Sequence, residues 1–387
     1  MKKFIIPIIF ALVGTSFVTY SFLDTFIITK GAHSFDGTID ADEFDIPLGG
    51  FTTTSSSKPT TSSSINNGSS NNSSTAPSSY SSTNPIEPVV GEYYEDKTQE
   101  EIAALFTPTK QFTERRHYSD SDIYIDISEC RDKEDTTTYY VADIRIKNLG
   151  YYRTALAKDT FAMRNSPKER TSDICNRKRG ILAINGDTYG SQEGGYVIRN
   201  GNVKPDQYRD VKNLNRSKSG KADDLIIKKD GTFEIIDEHD TSFEEVLEKN
   251  PFHVFSFGPA LVTKNQITVA ENEEVGTAMG GNKNQRCAIG IIAPGHYVFL
   301  VSNGRMKESY GLSLLNLAEI MKDLHCETAY NLDGGGSATM YLEDGTGNAT
   351  GLGHLVNYPH QSTQGLPSNP RMQQREVSDI VYIGKEL

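Results

Sequence analysis

The segment 331–337, Asn-Leu-Asp-Gly-Gly-Gly-Ser, combines a carboxylate with three successive glycines. It lies between two apolar runs, 328–332 and 338–342, which are typical of short buried strands. Because side chains alternate along a strand, Asn331 and Asp333 are expected on one face. Glycines permit positive φ, and their N–H groups can form a nest that binds an anion. The pattern suits chemistry at a phosphate or a glycosidic centre, and by itself it suits a glycine-rich turn with a solvated aspartate equally well.

A second carboxylate follows another apolar run. The segment 181–185 is too short for a helix and ends at Asn185, and Asp187 comes two residues later. Ligands of α/β sheets collect beyond the carboxyl ends of strands, so we expect Asp187 and Asp333 to converge on one site. Two unrelated turns would show the same residues, because Asn, Asp and Gly are the residues that dominate turns.

The order of the motifs along the chain resembles the phosphodiester glycosidase domain family, the relatives of N-acetylglucosamine-1-phosphodiester alpha-N-acetylglucosaminidase. Bacterial members are often labelled exopolysaccharide-biosynthesis proteins. The resemblance covers roughly 120–387. It rests on Asn185-Gly-Asp187, Phe257-Gly-Pro-Ala-Leu-Val262, Arg286-Cys-Ala-Ile-Gly290, Asn303-Gly-Arg305, the segment 311–324, the segment 331–337, Val356-Asn-Tyr-Pro359 and Arg375-Glu-Val-Ser-Asp379.

Three positions depart from the family pattern. Cys287 stands where a Thr is usual, Thr188 where an aromatic residue is usual, and Asn303 where an Asp is common. The last departure argues against a catalytic role for position 303.

The resemblance implies an enzyme that hydrolyses a sugar-1-phosphodiester at the anomeric C–O bond and expels a phosphomonoester. Such a reaction needs a carboxylate near the anomeric carbon, either as nucleophile or as the base for water. It also needs cations and N–H donors around the departing phosphate. We assign Asp333 as the principal carboxylate with Asp187 as its partner, and Arg286 and Arg305 as phosphate-binding residues. The predicted donors to the phosphate are Gly334, Gly335, Gly336 and Ser337, and the predicted contacts to sugar hydroxyls are Asn185, Asn331 and Asn357.

Two other classes of function stay open at this stage. A metal-dependent phosphodiesterase would use Asp187 and Asp333 as oxygen ligands and cleave the P–O bond. A wall- or glycan-binding module would show no turnover. We predict no cofactor, and a divalent metal at the two aspartates remains an alternative. The net charge of −12 argues against nucleic acid as a partner. The expected partner is a phosphate-linked glycan or glycolipid.

The N-terminal region predicts export. Lys2 and Lys3 precede the segment 4–23, twenty residues without a charge and long enough to span a bilayer. The positive-inside rule then predicts that 1–30 is a cytoplasmic N-terminus with a transmembrane signal anchor; a cleaved signal peptide is the competing interpretation. The segment 31–90 is rich in Ser, Thr and Asn and reads as a disordered linker. The protein is therefore expected at the cell membrane, single-pass, with its catalytic part outside.

The segment 91–387 is predicted to be a single large α/β domain, a mixed sheet with flanking helices. The best predicted helix runs over 313–325 with Ser313 as its N-cap, and Ser242 with Glu245 predicts a capping box at a shorter helix. A hairpin is predicted around 293–296. Cys287 and Cys326 are expected to be buried free thiols.

Overall fold

The computed structural model of the protein describes residues 33–34, 98–113, 116–162, 165–189, 195–201, 222–270, 283–343, 354–359 and 374–385. The predicted anchor 1–30 and, apart from 33–34, the predicted linker 31–90 lie outside the described residues. Within the described ranges, no helix has the length and apolar character needed to cross a membrane.

The secondary structure is dominated by strands. In chain order they are β1 His33–Ser34, β2 Gln111–Thr113, β3 His117–Ser119, β4 Ile123–Asp132, β5 Thr137–Ile146, β6 Tyr152–Leu156, β7 Thr160–Phe161, β8 Leu182–Asn185, β9 Asp223–Lys228, β10 Phe233–Asp237, β11 Pro251–Phe255, β12 Ala260–Thr263, β13 Gln266–Ile267, β14 Cys287–Ala293, β15 His296–Ser302, β16 Thr328–Leu332, β17 Met340–Leu342, β18 His354–Leu355 and β19 Asp379–Ile383. The α-helices are α1 Gln99–Ala103, α2 Thr171–Arg177, α3 Phe243–Glu248 and α4 Leu314–Asp323.

The strands form a large sheet in the order β13-β12-β16-β14-β15-β5-β4-β3-β2 and a small sheet in the order β18-β17-β8-β19-β6. A three-stranded sheet, β10-β9-β11, and the pair β1-β7 complete the described topology. Every pairing between described strands is antiparallel, which corrects the predicted mixed sheet. The physical reason is visible at α4, which connects β15 to β16. These two strands run parallel, but β14 lies between them and pairs antiparallel with both.

The two larger sheets enclose the main core. On β16, Tyr330 and Leu332 face this core together with Ile184 of β8 and Val381 of β19. Ala329 points the other way, where α4 covers the outer face of the large sheet. Helix α2 covers the outer face of the small sheet in the same manner. The described residues are thus mostly β rather than the α/β fold expected. The two larger sheets pack face to face, with α4 outside the large sheet and α2 outside the small one.

Several local predictions are confirmed. β14 and β15 form the predicted hairpin. Helix α4 begins after Ser313, whose Oγ accepts from the Asn316 backbone N–H over 3.0 Å, and Ser242 forms the predicted capping box at α3. The thiols of Cys287 and Cys326 are free and buried, as are those of Cys175 and, with partial exposure, Cys130.

One edge of the molecule collects the strand ends that carry the motifs. β16 ends at Leu332, which pairs with Cys287 at the start of β14. β8 ends at Asn185, which pairs with Ile380 near the start of β19. The two sheets are joined at this edge, because Asn185 Nδ2 donates to the Asp333 carbonyl oxygen over 2.6 Å. Both Asn-x-Asp segments therefore lie at the same edge, although in different sheets.

Candidate active site

Asp333 lies directly after β16 with its two carboxylate oxygens in different surroundings. Oδ2 accepts from Thr188 Oγ1 over 2.6 Å and from Arg375 Nη2 over 3.3 Å. Oδ1 makes no hydrogen bond with any described residue. The side chain is 14% exposed, so the free oxygen lies at an accessible but largely enclosed position. One oxygen of this carboxylate is held and the other is available to a substrate.

The glycine triplet shapes the floor beside Asp333. A Cβ on Gly334 would lie 2.6 Å from the Gln285 carbonyl oxygen, so only glycine fits there. Gly335 has a φ of +61°, and a Cβ on it would lie 3.3 Å from Arg305 Nη2. Gly335 N–H is used internally, on the Gln285 carbonyl. The N–H groups of Gly334 and Gly336 make no hydrogen bond with any described residue, and Gly336 is buried.

Two guanidinium groups border this triplet. Arg375 donates through Nε to Ser337 Oγ over 2.8 Å and through Nη2 to the Gly334 carbonyl over 2.9 Å. The Arg305 guanidinium packs on Gly335 and forms no ion pair with a described carboxylate. Burial lowers the pKa of Arg305, and the neighbouring charge of Arg375 lowers it further. Two cations thus share the surroundings of one carboxylate, an excess of positive charge that suits an anionic ligand.

Arg286, the other predicted phosphate-binding residue, lies next to the triplet but turns into the protein. It is 6% exposed, and its Nε donates to the Leu312 carbonyl just before α4, over 3.0 Å. Its predicted contact with phosphate stays a prediction. The guanidinium that reaches the glycines, alongside that of Arg305, belongs to Arg375.

The three asparagines predicted to contact sugar are buried and bonded to the backbone. Asn185 donates to the Asp333 carbonyl, and its Oδ1 accepts from the N–H of Thr339 over 3.2 Å. Asn357 bridges the backbone ahead of and within β17, accepting from the Met340 N–H over 2.8 Å and donating to the Ala338 carbonyl. Asn331 donates to the Gly258 carbonyl over 2.8 Å, while its Oδ1 is buried without a partner. Each amide braces a connection around Asp333, and sugar contact by these residues stays a prediction.

Asp187 does not share the accessible surroundings of Asp333. Its side chain is fully buried. Oδ1 accepts from Arg199 Nη2 over 2.6 Å and from the Tyr189 N–H over 3.1 Å, and Oδ2 accepts from the Ser256 N–H over 2.9 Å. Arg199 also donates to Asp379 Oδ2, through Nη2 over 3.0 Å and through Nε over 3.2 Å.

These three residues, Asp187, Arg199 and Asp379, form a buried triad with two carboxylates and one guanidinium. Burial, followed by the negative charge of Asp187, raises the pKa of Asp379 to about 7. Asp187 and Asp333 therefore do not face a common space with both carboxylates, as the sequence suggested. They are connected through Thr188, which follows Asp187 in the chain and donates to Asp333.

A metal ion shared by the two aspartates would have to compete for Asp187 with the partners that this carboxylate already has. A divalent cation at Asp187 would lie beside the Arg199 guanidinium, and it would displace the N–H donors that occupy both oxygens. Across the described ranges, no cluster of three or more His, Cys, Asp or Glu side chains is arranged to hold a metal ion.

Sequence reasoning did not assign three residues that the structure brings to this edge: Arg375, Arg199 and Asp379. Arg375 and Asp379 were visible as the ends of a C-terminal motif, which was a usable signal. Arg199 carried none, because an isolated arginine after an apolar run resembles any surface cation. Asn303 is buried and accepts from the Tyr358 N–H over 2.8 Å, which suits a bracing residue better than a catalytic one.

Comparison with known proteins identifies related sequences. A family model described as phosphodiester glycosidase matches residues 178–384, more than half of the chain. The SPbeta prophage-derived uncharacterized protein YomE of Bacillus subtilis (strain 168) is 24% identical over 296 residues, 70% of this chain and 42% of that protein. The chain thus spans less than half the length of this curated relative.

Similar solved structures include the zebrafish N-acetylglucosamine-1-phosphodiester alpha-N-acetylglucosaminidase catalytic domain auto-inhibited by its pro-peptide. The identity is 22% and the TM-score 0.47, over 68% of this chain and 83% of that one. A hypothetical protein from Synechocystis is 13% identical with a TM-score of 0.40, over 68% of this chain and 62% of that one.

Proposed function

This chain belongs to the phosphodiester glycosidase family, and from that premise we propose that it hydrolyses sugar-1-phosphodiesters at the anomeric C–O bond. The single observation that supports this reaction most is the arrangement around Asp333. A carboxylate with one unused oxygen lies beside two guanidinium groups and two unused glycine N–H groups.

Asp333 Oδ1 would act at the anomeric carbon, either as the nucleophile or as the base that activates water. Arg305 and Arg375 would hold the phosphate and offset the negative charge that builds up on it as the bond breaks. The N–H groups of Gly334 and Gly336 would donate to the same oxygens.

The enclosure of Asp187 fits this leaving group. Ordinary glycosidases place two carboxyl groups at the scissile bond, because a sugar alkoxide needs a proton as it departs. A phosphomonoester is weakly basic and can depart as an anion that is stabilised by cations. One accessible carboxylate beside two arginines is therefore a sufficient set for phosphodiester substrates, whereas it is a poor set for ordinary glycosides.

The test uses purified protein, a panel of α- and β-linked sugar-1-phosphodiesters, and water enriched in the heavy oxygen isotope. C–O cleavage places the isotope on the reducing sugar, and the phosphomonoester carries none. Isotope on the phosphate instead, with activity abolished by a chelator, would establish a metal-dependent phosphodiesterase. Saturable binding of the panel without turnover would identify a glycan-binding protein.

We propose further that the substrate is a phosphate-linked glycan or glycolipid at the cell surface, and that 1–30 anchors the enzyme in the cell membrane with 91–387 outside. The support is the uncharged segment 4–23 behind Lys2 and Lys3, followed by the polar segment 31–90. Protease added to intact cells should release the catalytic region while cytosolic markers stay intact. Recovery of the whole protein in the cytosolic fraction would contradict the proposal.

A further inference from the structure

Thr188 connects the buried triad to Asp333. Its Oγ1 donates to Asp333 Oδ2 over 2.6 Å, a length typical of a strong hydroxyl-to-carboxylate hydrogen bond. We infer, resting on the function proposed above, that Thr188 is a positioning residue. Its hydroxyl fixes the carboxylate of Asp333 so that Oδ1, and not Oδ2, is presented to the anomeric carbon.

The contacts on Asp333 show how one oxygen is selected. A carboxylate can exchange its two oxygens by rotating about its terminal bond, unless the donors around it distinguish them. Both donors to this side chain, Thr188 and Arg375, bind Oδ2. The Arg375 contact is long, at 3.3 Å, and comes from a side chain that is 45% exposed. The short bond from Thr188 is therefore the main restraint.

The backbone of Thr188 is held in a conformation that its side chain disfavours. Its φ is +61°, a region in which a β-branched residue is strained and persists only where its surroundings enforce it. Both neighbours are fixed. Asp187 is bound by Arg199 and two backbone N–H groups, and the buried ring of Tyr189 stacks on Phe161 with centroids 5.2 Å apart.

The same turn presses against the other carboxylate of the triad. A Cβ on Gly186 would lie 2.4 Å from the Asp379 carboxylate, so the chain can pass there only with glycine. The N–H of Thr188 faces the same carboxylate and partly offsets the rise in its pKa. Two buried carboxylates around one guanidinium are expensive for a protein to enclose. We explain their presence by a supporting role: the two buried carboxylates and Arg199 hold the turn that carries Thr188 in place beside Asp333.

The experiment compares three variants with the wild type. Thr188→Val removes the hydroxyl and keeps the branched shape, Thr188→Ser keeps the hydroxyl, and Thr188→Gly removes both the hydroxyl and the backbone strain. With a sugar-1-phosphodiester that the wild type cleaves, we expect Thr188→Val and Thr188→Gly to lower kcat about tenfold and to leave KM unchanged. Thr188→Ser should behave as the wild type.

A second readout needs no turnover. A water-soluble carbodiimide with an amine labels carboxyl groups in the folded protein, and peptide mass spectrometry reports the rate at each one. Asp333 should be labelled about threefold or more faster in Thr188→Val and Thr188→Gly than in the wild type and Thr188→Ser, because the hydroxyl that donates to its carboxylate is absent. Asp126, whose side chain is 47% exposed, serves as the internal reference.

The two readouts separate the two proposals. Faster labelling of Asp333 in Thr188→Val and Thr188→Gly, with no wild-type turnover on any phosphodiester, would retain the positioning role and reject the proposed function. Equal labelling and equal kcat in all four proteins would overturn the positioning role. If Thr188→Val fails to fold, Thr188→Ser and Thr188→Gly decide the same question, since glycine accepts positive φ without strain.

Discussion

The two Asn-x-Asp segments are alike in sequence and opposite in environment. Both follow a buried strand, and both lie at the same edge of the molecule. Asp187 is enclosed with every oxygen bonded, and a guanidinium is its main partner. Asp333 is partly exposed and keeps one oxygen unused. A strand end can place a carboxylate, but the side chains that arrive from distant parts of the chain decide whether it supports the fold or meets a ligand.

The arginines of the two regions also differ in role. Arg199 balances charge inside the protein, where removing it leaves carboxylates without compensation. Arg375 and Arg305 flank a glycine turn at the surface, where their charge is offset only in part. The stability of the protein should therefore depend on the segment that carries Asp187, and turnover on the segment that carries Asp333. Substitutions in each segment test this division directly.

The largest effect is expected at Asp333. Asp333→Asn should lower kcat by a factor on the order of a thousand or more, because it removes the charge of the acting oxygen while keeping the shape. Its urea midpoint should stay close to that of the wild type. Kinetics and unfolding curves on the same preparation provide the measurement.

Asp187→Asn is the matched control for Asp333→Asn. It should unfold more easily yet keep most of its turnover per folded molecule. A folded but inactive Asp187→Asn beside an active Asp333→Asn would reverse the two roles.

Arg199→Met should have the next largest effect, on stability. It leaves two buried carboxylates without their cation, which typically costs about 3–5 kcal/mol of the free energy of unfolding. Chemical denaturation at neutral pH measures the loss. Arg116→Met is the control, since Arg116 is 55% exposed and pairs with Glu129, which is 45% exposed, and such surface pairs contribute about 0–1 kcal/mol. Equal losses in the two variants would mean that the triad is not a special structural unit.

Arg375→Ala should lower kcat/KM by roughly a hundredfold, through weaker binding of the phosphate and poorer stabilisation of the leaving group. Arg375→Lys should recover only part of this, because an ammonium cannot contact Ser337 and Gly334 as a planar fork does. Arg286→Ala tests the sequence-based assignment in the same assay. A loss as large as that of Arg375→Ala, in a folded protein, would place Arg286 in the phosphate site after all.

The smallest effect is a dependence of stability on pH. The folded-state pKa of Asp379 is raised to about 7 from its ordinary value of 3.8, so near neutral pH the folded protein holds a proton that the unfolded chain has lost. This contribution to stability is present at low pH and disappears as the pH rises through about 7. From about pH 6 to about pH 8, the wild type should lose about 1 kcal/mol relative to Asp379→Asn. A constant difference would show that Asp379 is ionised throughout.

Local features were predictable from the sequence, and contacts between distant segments were not. Helix α4 and the β14–β15 hairpin follow from periodicity, an N-cap and a Pro-Gly turn, all of which lie within a few residues. The edge that carries Asp187 and Asp333 also follows from strand ends. The burial of Asp187 depends on Arg199 and Asp379, the last of which lies 180 residues from its arginine, and no pattern signals such a partner.

Thr188 is a second residue whose role depends on a contact between distant segments. In the sequence it was only a departure from a family pattern, and its hydrogen bond to Asp333 spans 145 residues. The mixed sheet that the sequence predicted shows a related limit. Helix α4 connects β15 to β16, but β14 lies between these two strands and pairs antiparallel with both.

The place of β19 in the small sheet has a consequence for the order in which the protein is made. This strand lies between β8 and β6, and the segment before it supplies Arg375 and Asp379. Ribosomal synthesis must therefore proceed beyond position 379 before the small sheet can close, the triad can neutralise its charges and the glycine triplet can receive its second arginine. A nascent chain that stops short of this strand should have neither a complete core nor a competent site. Activity would then arise only after β19 has left the ribosome.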